Sequence, residues 1–72
     1  MPIMLAPLGQ KVKIVAISAD DDVKKRLTDL GLAVGGYVTP LSSSGGNLVV
    51  DVLGARVAIN RDIAMKIRVA AA

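Results

Sequence analysis

Histidine and cysteine are both absent from these 72 residues, and Tyr37 is the only aromatic side chain. Without imidazole or thiol, a nucleophilic triad of the serine–histidine or cysteine–histidine kind has no parts to be built from. The missing thiols also exclude disulfide staples and thiolate metal sites, which fits a reducing compartment, with the cytoplasm as the default. A single tyrosine supplies neither the aromatic-lined groove that proline-rich peptides require nor the stacking platform that single-stranded nucleic acid requires. Long hydrophobic runs are lacking too. The apolar opening MPIMLAPLG is broken by Pro2 and Pro7 and carries no basic region, and no other stretch nears the ~20 apolar residues of a membrane span. Neither a signal peptide nor direct membrane insertion is expected.

What is present is aliphatic. Hydrophobic residues make up 53% of the chain, so Val, Ile, Leu, Ala and Met must fill the core, and β-branched residues suit a tight β structure. The length allows one domain, residues 1–72, which by surface scaling buries only about 60% of its unfolded surface. Nine basic and six acidic residues leave a net charge of +3. That excess favours an acidic partner or an anionic surface and falls short of the charge expected of a nucleic-acid binder.

The segment Val23 to Gly36, VKKRLTDLGLAVGG, is the most informative. Val23, Leu27 and Leu30 recur at i, i+4 and i+7, which predicts a helix from about Asp22 to Leu30 with one apolar stripe and with Lys24, Lys25, Thr28 and Asp29 turned outward. Gly31 falls where a left-handed residue closes a helix without a Cβ penalty, and Leu32 is placed to fold back on Leu27 in a Schellman ending. Gly35-Gly36 then turns the chain into the apolar stretch that begins at Tyr37. Ahead of the helix, Asp20, Asp21 and Asp22 are suited to accept its free backbone N–H groups and to complement its positive end.

Lys11 to Ile14 alternates like a half-buried strand, and Val15-Ala16-Ile17 is apolar on both faces, which predicts cover from two sides. Tyr37 to Leu41 reads as a short strand in which Pro40 argues for an edge or a bulge. Ser42 to Asn47 reads as a polar, mobile turn. Leu48, Val50 and Val52 share one strand face, and this run is expected to pair with the one carrying Val57 and Ile59. Gly54-Ala55 suits a two-residue type II′ hairpin between them. Asn60 or Asp62 is placed to cap a helical turn over Arg61 to Met65, and Ile67 with Val69 forms a last strand. Only the first few residues and the last alanines read as dispensable to the core, with Ile3 and Leu5 able to dock on it. The pattern predicts a mainly β fold of five short strands and one helix, a small partly open barrel.

Three segments resemble one family. RLTDLGLAVG at Arg26 to Gly35 is similar to the signature of the FeoA family. GQKVKIVAI at Gly9 to Ile17 is similar to that family's glycine-led first strand, and GARVAINRDIAMKIRV at Gly54 to Val69 to its closing strands. A proline-containing segment that many members of the family carry in the corresponding loop is missing from Ser42 to Asn47. The resemblance implies an SH3-like domain and a non-enzymatic accessory role in ferrous iron uptake. It also implies a cytosolic partner surface on the membrane transporter FeoB, which carries a GTP-binding domain. The alternative it offers is a free-standing relative of the C-terminal regulatory module of metal-dependent transcriptional repressors.

Candidate catalytic residues and cofactor sites are not found. Asp20, Asp21 and Asp22 offer hard oxygen ligands, yet their spacing matches no calcium loop, ferrous ion usually requires imidazole beside carboxylate, and helix capping accounts for them, so no metal site is assigned. Gly35-Gly36 and Gly45-Gly46 lie outside any phosphate-binding fingerprint. The candidate partner-binding residues are Lys24, Lys25 and Arg26 on the helix, Tyr37 as the one large amphipathic anchor, and Arg56 beside a hairpin tip. Strand edges of a partly open barrel also make a homodimer conceivable, blunted by Pro40 and by charged residues.

Overall fold

In the computed structural model, which describes residues 1–72, Val12 and Ile14 point inward and Lys13 outward, so the alternation at the start of β1 (Val12–Ile17) is realised as a half-buried strand. The other strands are β2 (Tyr37–Ser44), β3 (Asn47–Val52), β4 (Ala55–Asn60) and β5 (Ile67–Ala71). They form one antiparallel sheet in the order β4-β3-β2-β1-β5. The two outer strands do not pair, so the sheet curls without closing, as a small, mainly β, partly open barrel should. One helix, α1 (Asp21–Asp29), a single helical turn, α2 (Arg61–Ala64), and a 3-10 turn at Ile3–Leu5 complete it.

The sheet bends at β2. Tyr37 and Val38 pair with β1, whereas Thr39 onward pairs with β3, and the register shifts between Pro40 and Ser42. Leu41 is thus the extra residue of a bulge next to Pro40, which has no N–H to give to a ladder. The Pro40 carbonyl accepts from the Gly9 N–H across 2.6 Å. The inward faces of both halves meet in one core that includes Ile14, Leu32, Val38, Leu48, Val50, Val52, Ile67 and Val69.

The helix begins one residue earlier than its apolar stripe suggests, because Asp20 caps it. Its Oδ1 accepts from the Val23 N–H across 2.9 Å. The expected Schellman ending is present in full: the Gly31 N–H donates to the Thr28 carbonyl and the Leu32 N–H to the Leu27 carbonyl. Leu27 and Leu32 are buried, while Leu30 stays half exposed. Asn60 caps α2 through Oδ1, which accepts from the Ile63 N–H across 2.8 Å.

Four local expectations are corrected. Val15 is not covered on both sides; it is the bulged residue between Ile14 and Ala16 in the β1–β5 pairing, and its side chain is 46% exposed. Ser42 to Ser44 belong to β2 and pair with Val49, Leu48 and Asn47, so only Gly45-Gly46 turns the chain. Both those glycines have positive φ, as a type I′ hairpin requires. The β3–β4 turn is Leu53-Gly54, one residue earlier than the expected Gly54-Ala55. Leu53 at φ +54° and Gly54 at +86° make it type I′ as well. At the N-terminus Ile3 is fully buried, but Leu5 is exposed. The last alanines lie outside the core, as expected, although the backbones of Ala70 and Ala71 pair with Lys13 and Val12.

Candidate functional site

The surface carries two concavities. The first is a groove of about 410 Å³ between α1 and β4, lined by Val23, Arg26, Leu27 and Leu30 from the helix and by Ala58, Ile59, Asn60 and Ile63. The helix stripe read from the sequence builds one wall, and the same spacing that buries Leu27 leaves Val23 and Leu30 partly open to the groove. Successive residues of a strand alternate between its faces. Ala58, Ile59 and Asn60 therefore line the groove together only because it runs along the backbone edge of β4. Arg26 is its one charged lining residue.

The second surface is a depression of about 340 Å³ at the β3–β4 hairpin, lined by Lys11, Tyr37, Val38, Thr39, Asp51, Leu53 and Gly54. Lys11 Nζ stands 5.7 Å from the centre of the Tyr37 ring, a cation–π contact that fixes the face the half-exposed tyrosine presents. Asp51 Oδ1 accepts from the Gly54 N–H across 3.0 Å and so braces the turn, which lifts Leu53 into solvent at 93% exposure. Asp51 also lies directly opposite Arg56 in the β3–β4 register.

The expected contact residues are divided by this geometry. Arg26 lies in the helix groove, Tyr37 in the hairpin depression, and Arg56 on β4 across from the depression's Asp51. Lys24 and Lys25 are exposed on α1 and line neither surface. Leu53 went unread as a surface residue because a β-turn with leucine at a left-handed position gives no sequence signal. The β4 edge went unread because it becomes a groove wall only when a helix some thirty residues earlier packs beside it.

No constellation for covalent chemistry appears on either surface: beyond apolar side chains, the groove offers one guanidinium and one amide, and the depression one ammonium, one carboxylate, the Tyr37 phenol and the Thr39 hydroxyl. No group of three or more carboxylates stands together as a metal cage. No helix is long and apolar enough to cross a membrane. The class defined is a small SH3-like β domain whose distinguishing surfaces are an apolar groove and a hairpin tip.

The FeoA domain family matches residues 1–71, and the chain belongs to that family, which is linked to ferrous iron transport. It is similar to a Methanocaldococcus jannaschii protein assigned by inference as Fe(2+) transport protein A, with 30% identity over 68 residues covering 94% of this chain and 83% of that one. Among solved structures it resembles the solution structure of the FeoA protein from Chlorobium tepidum, at a TM-score of 0.86 and 25% identity, covering 96% of this chain and 68% of that one. It also shares its fold with ScaR, crystallised with bound Zn2+, at a TM-score of 0.88 and 19% identity over the whole of this chain and 37% of that one.

Proposed function

We propose that this chain is a non-enzymatic, cytoplasmic accessory protein of ferrous iron uptake that docks on the cytosolic part of an FeoB-type transporter. The observation that carries the reading is the match to the FeoA family across residues 1–71. The surface chemistry supports it, because a domain with no catalytic constellation but with an apolar groove and a solvent-raised leucine is equipped to bind a protein. Lys24, Lys25, Arg26, Tyr37 and Arg56 are the proposed contacts, the cations steering an acidic partner and the tyrosine anchoring it. Docking can change transport only through a difference in affinity for two states of the transporter.

Titration of the chain into the transporter's purified cytosolic domain, without nucleotide and with GDP or a GTP analogue, tests this. Saturable binding that differs between nucleotide states is expected. Absence of binding at low salt in every state overturns the reading. The fold shared with ScaR favours a second reading, a free-standing relative of a repressor's regulatory module. Capture of a repressor and not of the transporter domain would select it.

A further inference from the structure

The two outer strands of the sheet are treated differently. Along β5, the Val69 N–H donates to the Met1 carbonyl across 2.7 Å, the Met1 ammonium donates to the Val69 carbonyl across 3.0 Å, and Pro2 bridges Arg68. That edge is therefore paired. No segment pairs with the outer side of β4.

The orientation of β4's backbone follows from its register. Val52 and Ala55 close a two-residue hairpin and so exchange hydrogen bonds, which makes Val50 with Val57 and Leu48 with Ile59 the bonded pairs. The Arg61 N–H, two residues further on, donates to the Gly46 carbonyl across 2.8 Å and confirms the parity. The N–H and C=O groups of Arg56 and Ala58 consequently point away from β3, and those of Ala58 face the groove that α1 borders.

We infer that the β4 edge and the groove beside it accept an extended segment of a partner protein as an added strand, with alternate aliphatic and acidic side chains. The strand's main chain bonds to Arg56 and Ala58. Its aliphatic side chains pack on Val23, Leu30 and Ile63, and its carboxylates, which alternate to the opposite face, meet the exposed Arg56. Charge complementarity selects this occupant: the groove lining holds one guanidinium and no carboxylate, and Arg56 and Arg61 stand exposed at either side of its β4 wall. β4 carries neither proline nor lysine, the residues that commonly blunt a free edge. The inference assigns a binding mode to the docking proposed above and rests on that reading for the partner's identity alone.

Two probes test it with the full chain. One is an eight-residue peptide alternating aspartate with valine or leucine, compared with the same peptide N-methylated at alternate backbone positions; the other is the transporter's cytosolic domain. Amide hydrogen exchange is followed at Arg56 and Ala58 and binding by titration. Slowed exchange at both amides with either probe supports the inference, and the methylated peptide should bind at least tenfold more weakly. Ala58→Pro removes one outward N–H without touching the β3 ladder; it should leave the unfolding transition in place while weakening binding tenfold or more. Arg56→Glu should reverse the preference in favour of a peptide with lysine in place of aspartate. If the transporter domain binds but these amides exchange as in the free chain, the strand-addition mode is overturned and the docking reading survives. Protection by the peptide without binding of the transporter domain keeps the mode and removes the partner. Protection by neither probe overturns the inference.

Discussion

The Leu32 N–H reaches back to the Leu27 carbonyl across 2.8 Å, and the residue that makes this possible is Gly31 at φ +93°. A Cβ at Gly31 would stand 2.7 Å from Val52 Cγ1, so the helix end is also pressed against the sheet. Gly31→Ala should therefore combine a left-handed penalty with core crowding, a loss of about 2–4 kcal/mol. Gly35 shares the positive φ but has open space around its Cβ position, and Gly35→Ala should lose only about 1–2 kcal/mol. Urea unfolding of the two variants separates them, and equal losses would contradict the close approach to Val52.

Leu53 presents the opposite case. It holds a left-handed conformation at a type I′ turn while burying almost nothing. Leu53→Asn should raise stability by about 0.5–1 kcal/mol, because asparagine tolerates that position and little packing is lost. A decrease in unfolding temperature would show that the leucine packs in a way its exposure does not suggest.

Adjacent residues of β1 should respond very differently to truncation. Ile14 is fully buried, and Ile14→Ala should cost about 2–5 kcal/mol. Val15 bulges outward, so Val15→Ala should stay within about 0.5 kcal/mol of the parent. Thermal unfolding followed by circular dichroism measures both, and a large loss at Val15 would restore the doubly covered strand.

Of the three aspartates at the start of α1, only the N-cap Asp20 accepts a backbone hydrogen bond. Asp20→Ala should lose about 0.5–2 kcal/mol, and Asp20→Asn should retain most of the cap. Asp21→Ala removes only a favourable charge in the first turn, worth about 0.3–1 kcal/mol at low salt. Repeating the series at high salt should shrink the Asp21 effect and leave the Asp20 effect.

Lys24 and Lys25 stand outside both concave surfaces, so their proposed part in docking is electrostatic steering. Replacing both with glutamine should slow association with the transporter's cytosolic domain at low salt while leaving dissociation nearly unchanged. Stopped-flow or surface binding at two ionic strengths measures this, and a change confined to dissociation would place these lysines inside the interface.

The fold was legible wherever one residue type answers one local demand. Gly31 with Leu32 announced the helix end, the cap of α2 was narrowed to Asn60 or Asp62, of which Asn60 makes it, and the alternation at Leu48, Val50 and Val52 announced which face of β3 is buried. It was illegible where pairing partners decide. Ser42 to Ser44 have turn-like side chains, yet their backbones bond to β3, and exposed side chains impose no cost on a strand. Val15 is apolar but displaced by a bulge that register, and not composition, creates. The Leu53-Gly54 turn was missed by one position because leucine normally belongs to the strand it ends. The groove combines residues 23–30 with residues 58–63, and its edge-on character comes from a pairing absent on one side of β4, which no local pattern encodes.

Because β1 finds its long partner in β5, residues 12–17 wait for residues 67–71 before half of the barrel exists. During synthesis β1 can pair with β2 and the β2–β3 and β3–β4 hairpins can form locally, but the other edge of β1 stays open until residues 67–71 have left the ribosome. Nascent copies thus pass through a stage with a bare, valine-rich ribbon, and this is the point at which chaperone help would matter most.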